Sequence, residues 1–101
     1  MTLTLDSTIT LNNGVEMPRF GLGVFQSAVG SETENAVRYA LEAGYRQIDT
    51  AALYRNEREV GKIVNDGIVP REKVFVTSKI WTSDLSYDGA KRAFETTMAK
   101  L

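Results

Sequence analysis

The stretch that decides the fold is Gly44-Tyr-Arg-Gln-Ile-Asp-Thr-Ala-Ala-Leu-Tyr54. Gly44 is typical of the residue that ends a helix, and the short run around Ile48 that follows it predicts a β-strand. This strand carries Asp49 at its carboxyl end, and Tyr54 lies in the loop that follows. Parallel α/β proteins place their active sites at the carboxyl ends of strands and in the loops after them. The stretch therefore predicts a parallel sheet and a candidate site together.

Two helices are predicted on either side of this strand. The segment Ser31-Glu-Thr-Glu34 matches a capping box, and apolar residues then recur at helical spacing as far as Gly44, namely Ala36, Val37, Ala40 and Leu41. The segment Asn56-Glu-Arg-Glu59 again offers a helix N-cap with a glutamate three residues later. This second helix is predicted to end near Gly67. Its first charged residues, Glu57, Arg58 and Glu59, are interpreted as a solvent-exposed helix start.

The amino-terminal part of the chain predicts a β-hairpin. Ile9 and Leu11 alternate with polar residues, and Asn12-Asn-Gly14 is a tight-turn signal before a second alternating run. The run from Arg19 to Phe25 then predicts the first strand of the main sheet. Its glycines allow another backbone or a ligand to come close.

The carboxyl-terminal part predicts a third strand over residues 73–81 and a final helix over residues 86–101. The strand has an aliphatic face that is expected to pack on helices, made of Val74, Val76, Ser78 and Ile80. Its other face carries Lys79 toward the side that a closed barrel turns inward. The final helix is predicted to be amphipathic, with apolar positions at Ala90, Phe94, Met98 and Leu101.

The predicted strands recur about every 25 to 30 residues, which is typical of βα units joined by right-handed crossovers. A closed barrel of such units needs eight of them and about 250 residues, whereas this chain has 101 residues. The predicted fold class is therefore α/β: an N-terminal β-hairpin plus the first three βα units of a (β/α)₈ TIM barrel. Residues 1–101 are expected to be the N-terminal part of a single barrel domain, ending before its fourth strand.

Composition excludes several classes of function. The formal net charge is −1, and acidic and basic residues are interspersed, so no nucleic-acid or membrane partner is expected. The chain has no cysteine and no histidine, which leaves no metal site to predict. The first residues lack the positive segment and apolar run of a signal peptide, so none is expected, and the longest apolar runs are too short to span a membrane. The expected location is cytoplasmic.

Three stretches resemble the aldo-keto reductase family, and together they cover the whole chain. The first is Gly44-Tyr-Arg-Gln-Ile-Asp-Thr-Ala-Ala-Leu-Tyr-Arg-Asn-Glu-Arg-Glu-Val-Gly61, which is similar to the family's first signature. The second is Val69-Pro-Arg-Glu-Lys-Val-Phe-Val-Thr-Ser-Lys-Ile-Trp81, which resembles the region around its catalytic lysine. The third is Gly14-Val-Glu-Met-Pro18 with Gly21-Leu-Gly23. Within the family, the chain is most similar to small microbial 2,5-diketogluconate reductases and protozoan prostaglandin F synthases.

The resemblance implies an NADPH-dependent oxidoreductase that reduces aldehydes and ketones to alcohols by hydride transfer. In this family Tyr54 would be the general acid, Lys79 would favour ionisation of the phenol, and Asp49 would pair with Lys79. The implied cofactor-binding positions are Gly23, Val24, Phe25 and Asp49, and the implied substrate-pocket positions are Phe25, Tyr54 and Trp81. The expected partner is a small carbonyl compound, and the expected full-length form is a monomer. The resemblance implies that the family's fourth catalytic residue, a histidine, and the loops that select the substrate would lie beyond Leu101.

Some of these residues also have plainer interpretations. Asp49 could be a structural acid that caps the next loop, Tyr54 an ordinary half-buried phenol, and Phe25 and Trp81 core aromatics that fill a barrel layer. Gly21-Leu-Gly23 lacks the third glycine of the dinucleotide fingerprint, so no Rossmann site is predicted there. Gln47 replaces a histidine often found beside the family's catalytic acid, and a structural role is expected for it. Two hypotheses remain: a carbonyl reductase represented by its N-terminal third, and a catalytically inert piece that serves in interaction or assembly.

Overall fold

A two-stranded hairpin and a three-stranded sheet with helices form the computed structural model, which describes residues 2–101. The elements in chain order are β1 (Thr8–Thr10), β2 (Glu16–Pro18), β3 (Leu22–Gly23), α1 (Ser31–Ala43), β4 (Gln47–Asp49), α2 (Glu57–Val64), β5 (Phe75–Thr77) and α3 (Tyr87–Lys100). The predicted hairpin followed by three βα units is confirmed. Across residues 2–101, no helix combines the length and apolar character needed to cross a bilayer.

The main sheet is parallel, with the strand order β3-β4-β5. Gly23 lies opposite Asp49, and Asp49 lies opposite Thr77, so the carboxyl ends of all three strands lie at the same end of the sheet. β3 and β5 are shorter than the predicted runs over residues 19–25 and 73–81, and single backbone hydrogen bonds, such as that from the Ala52 amide to the Lys79 carbonyl oxygen, continue the pairing beyond them. Gly21 allows the close approach of β4: a Cβ on it would lie 2.8 Å from the carbonyl oxygen of Gln47.

The core lies between the sheet and the helices α1 and α2. Its well-buried side chains include Val37, Leu41, Ile48, Val60 and Ile63, all with at most 2% of their surface exposed. Burying a side chain of this kind contributes roughly 1.5–3 kcal/mol. The 3.6-residue spacing that predicted the two helices is therefore the spacing of the residues that bury them against β4.

The two predicted capping boxes are wrong, although both helices begin within a residue of the predicted positions. Helix α1 has Gly30 at its N-cap, with φ of 84°, and Asn56 is at the N-cap of α2; neither position makes a side-chain capping bond. The Glu59 carboxylate instead accepts a hydrogen bond from the Gly30 amide at 3.1 Å, which links the two helix starts. The predicted end of α1 is confirmed: Gly44 is left-handed, and the amides of Gly44 and Tyr45 close a Schellman motif on the last turn.

Glu57 is not part of a solvent-exposed helix start, which corrects the prediction for that residue. Its side chain is 2% exposed. One carboxylate oxygen accepts hydrogen bonds from the hydroxyls of Ser78, at 2.6 Å, and Thr97, at 2.8 Å. The other lies 4.0 Å from the Lys100 ammonium. A buried acid of this kind costs free energy unless it is paired, and these contacts join α2 to the end of β5 and to α3.

Helix α3 begins at the predicted place, where the Ser86 side chain accepts a hydrogen bond from the Gly89 amide at 3.0 Å. Its predicted apolar face is exposed, with Phe94 61% and Met98 56% accessible. Together with Val76, Ile80 and Leu101, these two side chains line a groove beside the edge strand β5. We call this the β5–α3 groove.

We expect the 101-residue chain to associate with itself through the β5–α3 groove when it is expressed alone. Exposed apolar surface beside an unpaired strand edge favours association. The double substitution Phe94→Glu with Met98→Lys should reduce association while keeping α3 helical, because the new charges are four residues apart in the favourable order. Sedimentation velocity over a range of concentrations measures this, with circular dichroism to follow helix content.

The matched control is Tyr87→Glu, which changes an exposed residue of the same helix outside the groove. It should leave the association of the chain unchanged. A wild-type chain that stays monomeric at high concentration, or a double variant that associates as strongly as the wild type, would contradict this assignment of the groove.

Candidate active site

The structure brings Asp49, Tyr54 and Lys79 together at the carboxyl-terminal end of the sheet. Asp49 is the last residue of β4, Tyr54 ends a short 3₁₀ turn over Ala52–Tyr54, and Lys79 lies two residues beyond β5. Backbone hydrogen bonds continue the β4–β5 pairing past the strands. The Thr50 amide donates to the Thr77 carbonyl oxygen at 2.8 Å, and the Ala52 amide donates to the Lys79 carbonyl oxygen at 3.0 Å. Backbone hydrogen bonds alone therefore fix the positions of the loops that follow β4 and β5.

The Lys79 ammonium forms a forked ion pair with Asp49. It donates to the two carboxylate oxygens at 2.9 and 2.8 Å and to the Thr50 carbonyl oxygen at 3.1 Å. The side chains are 49% and 37% exposed, respectively. Ion pairs in contact with solvent contribute only about 0–1 kcal/mol to stability. The main effect of this pair is therefore to orient the ammonium.

Asp49 also changes the acidity of Lys79. Burial alone lowers the pKa of the Lys79 ammonium, but the hydrogen bond and negative charge of Asp49, with smaller contributions from Tyr54, outweigh burial and raise that pKa above 10.5. Lys79 is therefore fully protonated at neutral pH. The site holds a fixed positive charge rather than a basic amine.

Tyr54 lies beside this charge. The Lys79 nitrogen is 5.3 Å from the centre of the Tyr54 ring, within the range of a cation–π contact. The partly buried Tyr54 side chain packs against the core, and the Phe25 ring lies beside the Tyr54 ring, with centres 5.1 Å apart and ring planes tilted by 55°. The Tyr54 phenol and the protonated Lys79 ammonium are therefore neighbours in this site.

The predicted aromatic wall residues lie at the surface of this chain rather than in its core. Phe25 is 61% exposed and Trp81 is 44% exposed. Trp81 lines a cleft of about 290 Å³ together with Ala51, Leu53, Tyr54, Lys79, Ile80 and Thr82. Within the described chain, neither aromatic fills a closed layer.

The predicted cofactor contacts around β3 fall in different environments. Gly23 faces open space, since nothing lies within 4 Å of a Cβ built on it. The Val24 side chain is 2% exposed and belongs to the core, and its amide donates to the Asp49 carbonyl oxygen at 3.1 Å. Gly23 and Phe25 are thus the members of this group that a ligand above the sheet could meet directly.

A larger cleft, of about 570 Å³, lies at the opposite end of the sheet. It is lined by the hairpin and by residues at the amino ends of β4 and β5, including Asp6, Arg46, Glu72 and Lys73. Active sites of parallel βα barrels lie at the carboxyl ends of the strands. We therefore place the candidate site at the smaller cleft, where the ion pair and the phenol meet.

Sequence reasoning missed two buried polar residues beside the site, Thr50 and Asn56. Both are fully buried, and the Thr50 hydroxyl donates to the Asn56 side-chain oxygen at 2.7 Å. The sequence predicts a helix cap at Asn56, because Glu59 follows it by three residues. An asparagine before a helix can either cap that helix or form buried hydrogen bonds to other segments. The sequence is the same in both cases, and only the fold distinguishes the two roles. Gln47, for which a structural role was expected, is buried and donates to the Pro18 carbonyl oxygen at 2.6 Å.

Known proteins share both the sequence and the fold of this chain. The sequence model of the aldo/keto reductase family matches residues 19–101 of this chain. The uncharacterized oxidoreductase YtbE of Bacillus subtilis is 53% identical over 105 residues, which cover 100% of this chain and 38% of that protein. Glyoxal reductase of Bacillus subtilis is 46% identical over 101 residues, which cover 100% of this chain and 37% of that protein.

A crystal structure of a Bombyx mori aldo-keto reductase in complex with NADP matches with a TM-score of 0.84 and 35% identity, over 98% of this chain and 35% of that one. The predicted relation of this fold to the TIM barrel is confirmed by such structures. The chain spans little more than a third of the length of the relatives it matches.

The pKa of Lys79 provides a test of the ion pair. We expect Asp49→Asn to lower this pKa, because burial then acts with little opposition. In the wild type the raised pKa means that the pair's contribution to stability is complete below pH 10.5 and is lost as the pH rises through the higher folded-state value. A ¹³C NMR titration of labelled lysine side chains measures the pKa of Lys79 in the wild type and in Asp49→Asn.

The control is Glu34→Gln, which removes the carboxylate that accepts from Lys62 at 3.0 Å. It should leave the titration of Lys79 unchanged. If Asp49→Asn also left it unchanged, the ion pair would not be responsible for the charge state of Lys79.

Proposed function

We propose, since the chain belongs to the aldo/keto reductase family, that it forms the N-terminal part of an oxidoreductase that reduces aldehydes or ketones with NADPH. The observation that carries the proposal is the forked Lys79–Asp49 ion pair with its nitrogen 5.3 Å from the Tyr54 ring centre. A phenol can donate a proton, a fixed cation can stabilise negative charge and an open cleft can admit a carbonyl compound, so the groups at this end of the sheet suit carbonyl reduction.

Tyr54 is the proton donor in this proposal. A carbonyl oxygen bound in the cleft accepts the hydroxyl proton of Tyr54 while the carbonyl carbon gains a hydride, so that the product is an alcohol. The Lys79 ammonium stabilises the phenolate that is left, and solvent returns the proton. Asp49 keeps Lys79 charged and oriented through the step.

The cofactor in this proposal is NADPH, which when bound supplies the hydride. The residues present fit its nicotinamide end: Gly23 leaves open space beside the end of β3, and the exposed Phe25 ring lies next to Tyr54. Asp49 and the backbone near Val24 border the same space. The remaining βα units of the barrel are proposed to hold the phosphates of the cofactor.

The substrate class is proposed to be small aldehydes and ketones. Phe25, Tyr54 and Trp81 offer aromatic surface around the cleft. One relative is named glyoxal reductase, which makes glyoxal a suitable first substrate to test.

The exposed β5–α3 groove supports the proposal that further barrel units follow. It runs beside an edge strand and carries Phe94 and Met98 at its rim. The alternative, an inert chain that serves only in assembly, draws on the same apolar surface. An activity assay on this chain within a complete barrel distinguishes the two functions.

The test is a chimera in which residues 1–101 replace the aligned segment of the Bacillus subtilis glyoxal reductase. We expect the chimera to reduce glyoxal with NADPH, and the isolated 101-residue chain to be inactive and to bind NADPH poorly. NADPH consumption is followed by absorbance, and cofactor binding by fluorescence titration. A folded chimera without activity would favour the assembly role, and an active isolated chain would overturn the view that further units are needed.

Within the chimera, we expect Tyr54→Phe to lower kcat by about 10²–10⁴-fold, the usual contribution of a positioned general acid. The Kd for NADPH should stay nearly unchanged, because the hydroxyl takes part in proton transfer rather than in cofactor binding. The control is Tyr39→Phe, which removes the hydroxyl of an exposed tyrosine on α1. A large loss of NADPH affinity in Tyr54→Phe, or an unchanged kcat, would contradict the assigned role.

A further inference from the structure

Phe25 lies at the tip of a tight turn that the structure holds in a defined way. The turn covers residues 24–27 and is closed by a hydrogen bond from the Ser27 amide to the Val24 carbonyl oxygen at 3.0 Å. Gln26 has a φ of 64°, a left-handed conformation, as the third residue of a type II turn requires. This turn presents the exposed Phe25 ring to Tyr54, with 5.1 Å between ring centres.

The side chain of Asn56 ties both ends of this turn to β4. Its amide nitrogen donates to the carbonyl oxygens of Val24, at 2.9 Å, and Ser27, at 3.2 Å. Its oxygen accepts from the Thr50 hydroxyl at 2.7 Å. Asn56 and Thr50 are both fully buried. A group with two donors and an acceptor in this geometry is needed here, and the asparagine amide supplies it.

Asn56 lies where three parts of the site meet. It is at the N-cap of α2, yet its side chain makes no capping hydrogen bond to that helix. It is also two residues after Tyr54. One residue therefore connects the strand end that carries Asp49 and Thr50, the loop that carries Tyr54 and the turn that carries Phe25.

We propose that Asn56 is a positioning residue that fixes Phe25 against Tyr54 and thereby raises the efficiency of the site with aromatic carbonyl substrates relative to small polar ones. The inference rests on the proposed function, in which the cleft beside Tyr54 receives the carbonyl. Asn56 itself does not reach the cleft. It acts through the turn, and the Phe25 ring supplies the apolar surface that an aromatic aldehyde contacts.

The test compares two substrates in the glyoxal reductase chimera, benzaldehyde and glyoxal. Asn56→Asp keeps the shape of the side chain but replaces the donor with an oxygen that faces two carbonyl oxygens. We expect the ratio of kcat/KM for benzaldehyde to kcat/KM for glyoxal to fall about tenfold, the size expected when a buried hydrogen-bonding group loses its partner. A residue that only stabilised the fold would lower both values equally and leave the ratio unchanged.

Phe25→Ala should lower the same ratio, and the double variant should lower it no further, since Asn56 acts through Phe25. Thr50→Val, which removes only the hydroxyl that orients the Asn56 amide, should lower it by a smaller factor and covers the case in which Asn56→Asp fails to fold. Asn65→Asp, the same change at the other end of α2, is the control and should leave the ratio as it is.

A readout independent of catalysis accompanies these kinetics. The nuclear Overhauser effects between the Phe25 and Tyr54 rings should weaken in Asn56→Asp and persist in Asn65→Asp. An inactive parent chimera would count against the proposed function, and this NMR comparison would still decide whether Asn56 positions Phe25. An unchanged substrate ratio in an active Asn56→Asp enzyme, effects of Asn56→Asp and Phe25→Ala that multiply, or unchanged ring contacts would overturn the inference.

Discussion

The parallel register of β4 and β5 is the constraint on which the candidate site depends. Asp49 lies opposite Thr77, and Lys79 follows Thr77 by two residues, which returns its side chain to the same face of the sheet. The forked ion pair is the direct result. A slip of one residue would turn Lys79 toward the helices and leave Asp49 without a cation. The alternation of Val74 and Val76, which pack on the core side, with Phe75 and Thr77 sets this register.

Two adjacent buried residues at the start of α2 connect the βα units around this register. Asn56 reaches back to the turn after β3, and Glu57 reaches forward to Ser78 and Thr97. Buried polar groups cost free energy unless they are hydrogen-bonded. Within residues 2–101, no buried side-chain nitrogen or oxygen lacks a hydrogen-bond partner. The polar links therefore specify the relative positions of the loops at the site without leaving an unpaired group.

The sequence alone predicted the end of α1 and the convergence of three polar side chains at the carboxyl ends of the strands. Gly44 ends α1 as predicted because a left-handed residue is needed there, and Asp49, Tyr54 and Lys79 were found from strand ends and loop positions. The errors concern Asn56 and Glu57. Asn56 and Glu59 have the spacing of a capping box, and Glu57 lies in the same charged segment. The side chains of Asn56 and Glu57 instead bond to Val24, Ser78 and Thr97, which are 21 to 40 residues away. A local pattern cannot distinguish a cap from a long-range link, because both need the same polar side chains.

The central claim is that Asp49 and Lys79 act as one unit on Tyr54, and a double-mutant cycle on glyoxal reduction by the chimera tests it most directly. The measurement is kcat/KM for Asp49→Asn, Lys79→Met and the double variant, each relative to the parent. Because groups that act as a unit are strongly non-additive, the double variant is predicted to lie within about threefold of the slower single variant. A double variant whose loss equals the product of the two single losses would show that Asp49 and Lys79 act independently, which would contradict the account.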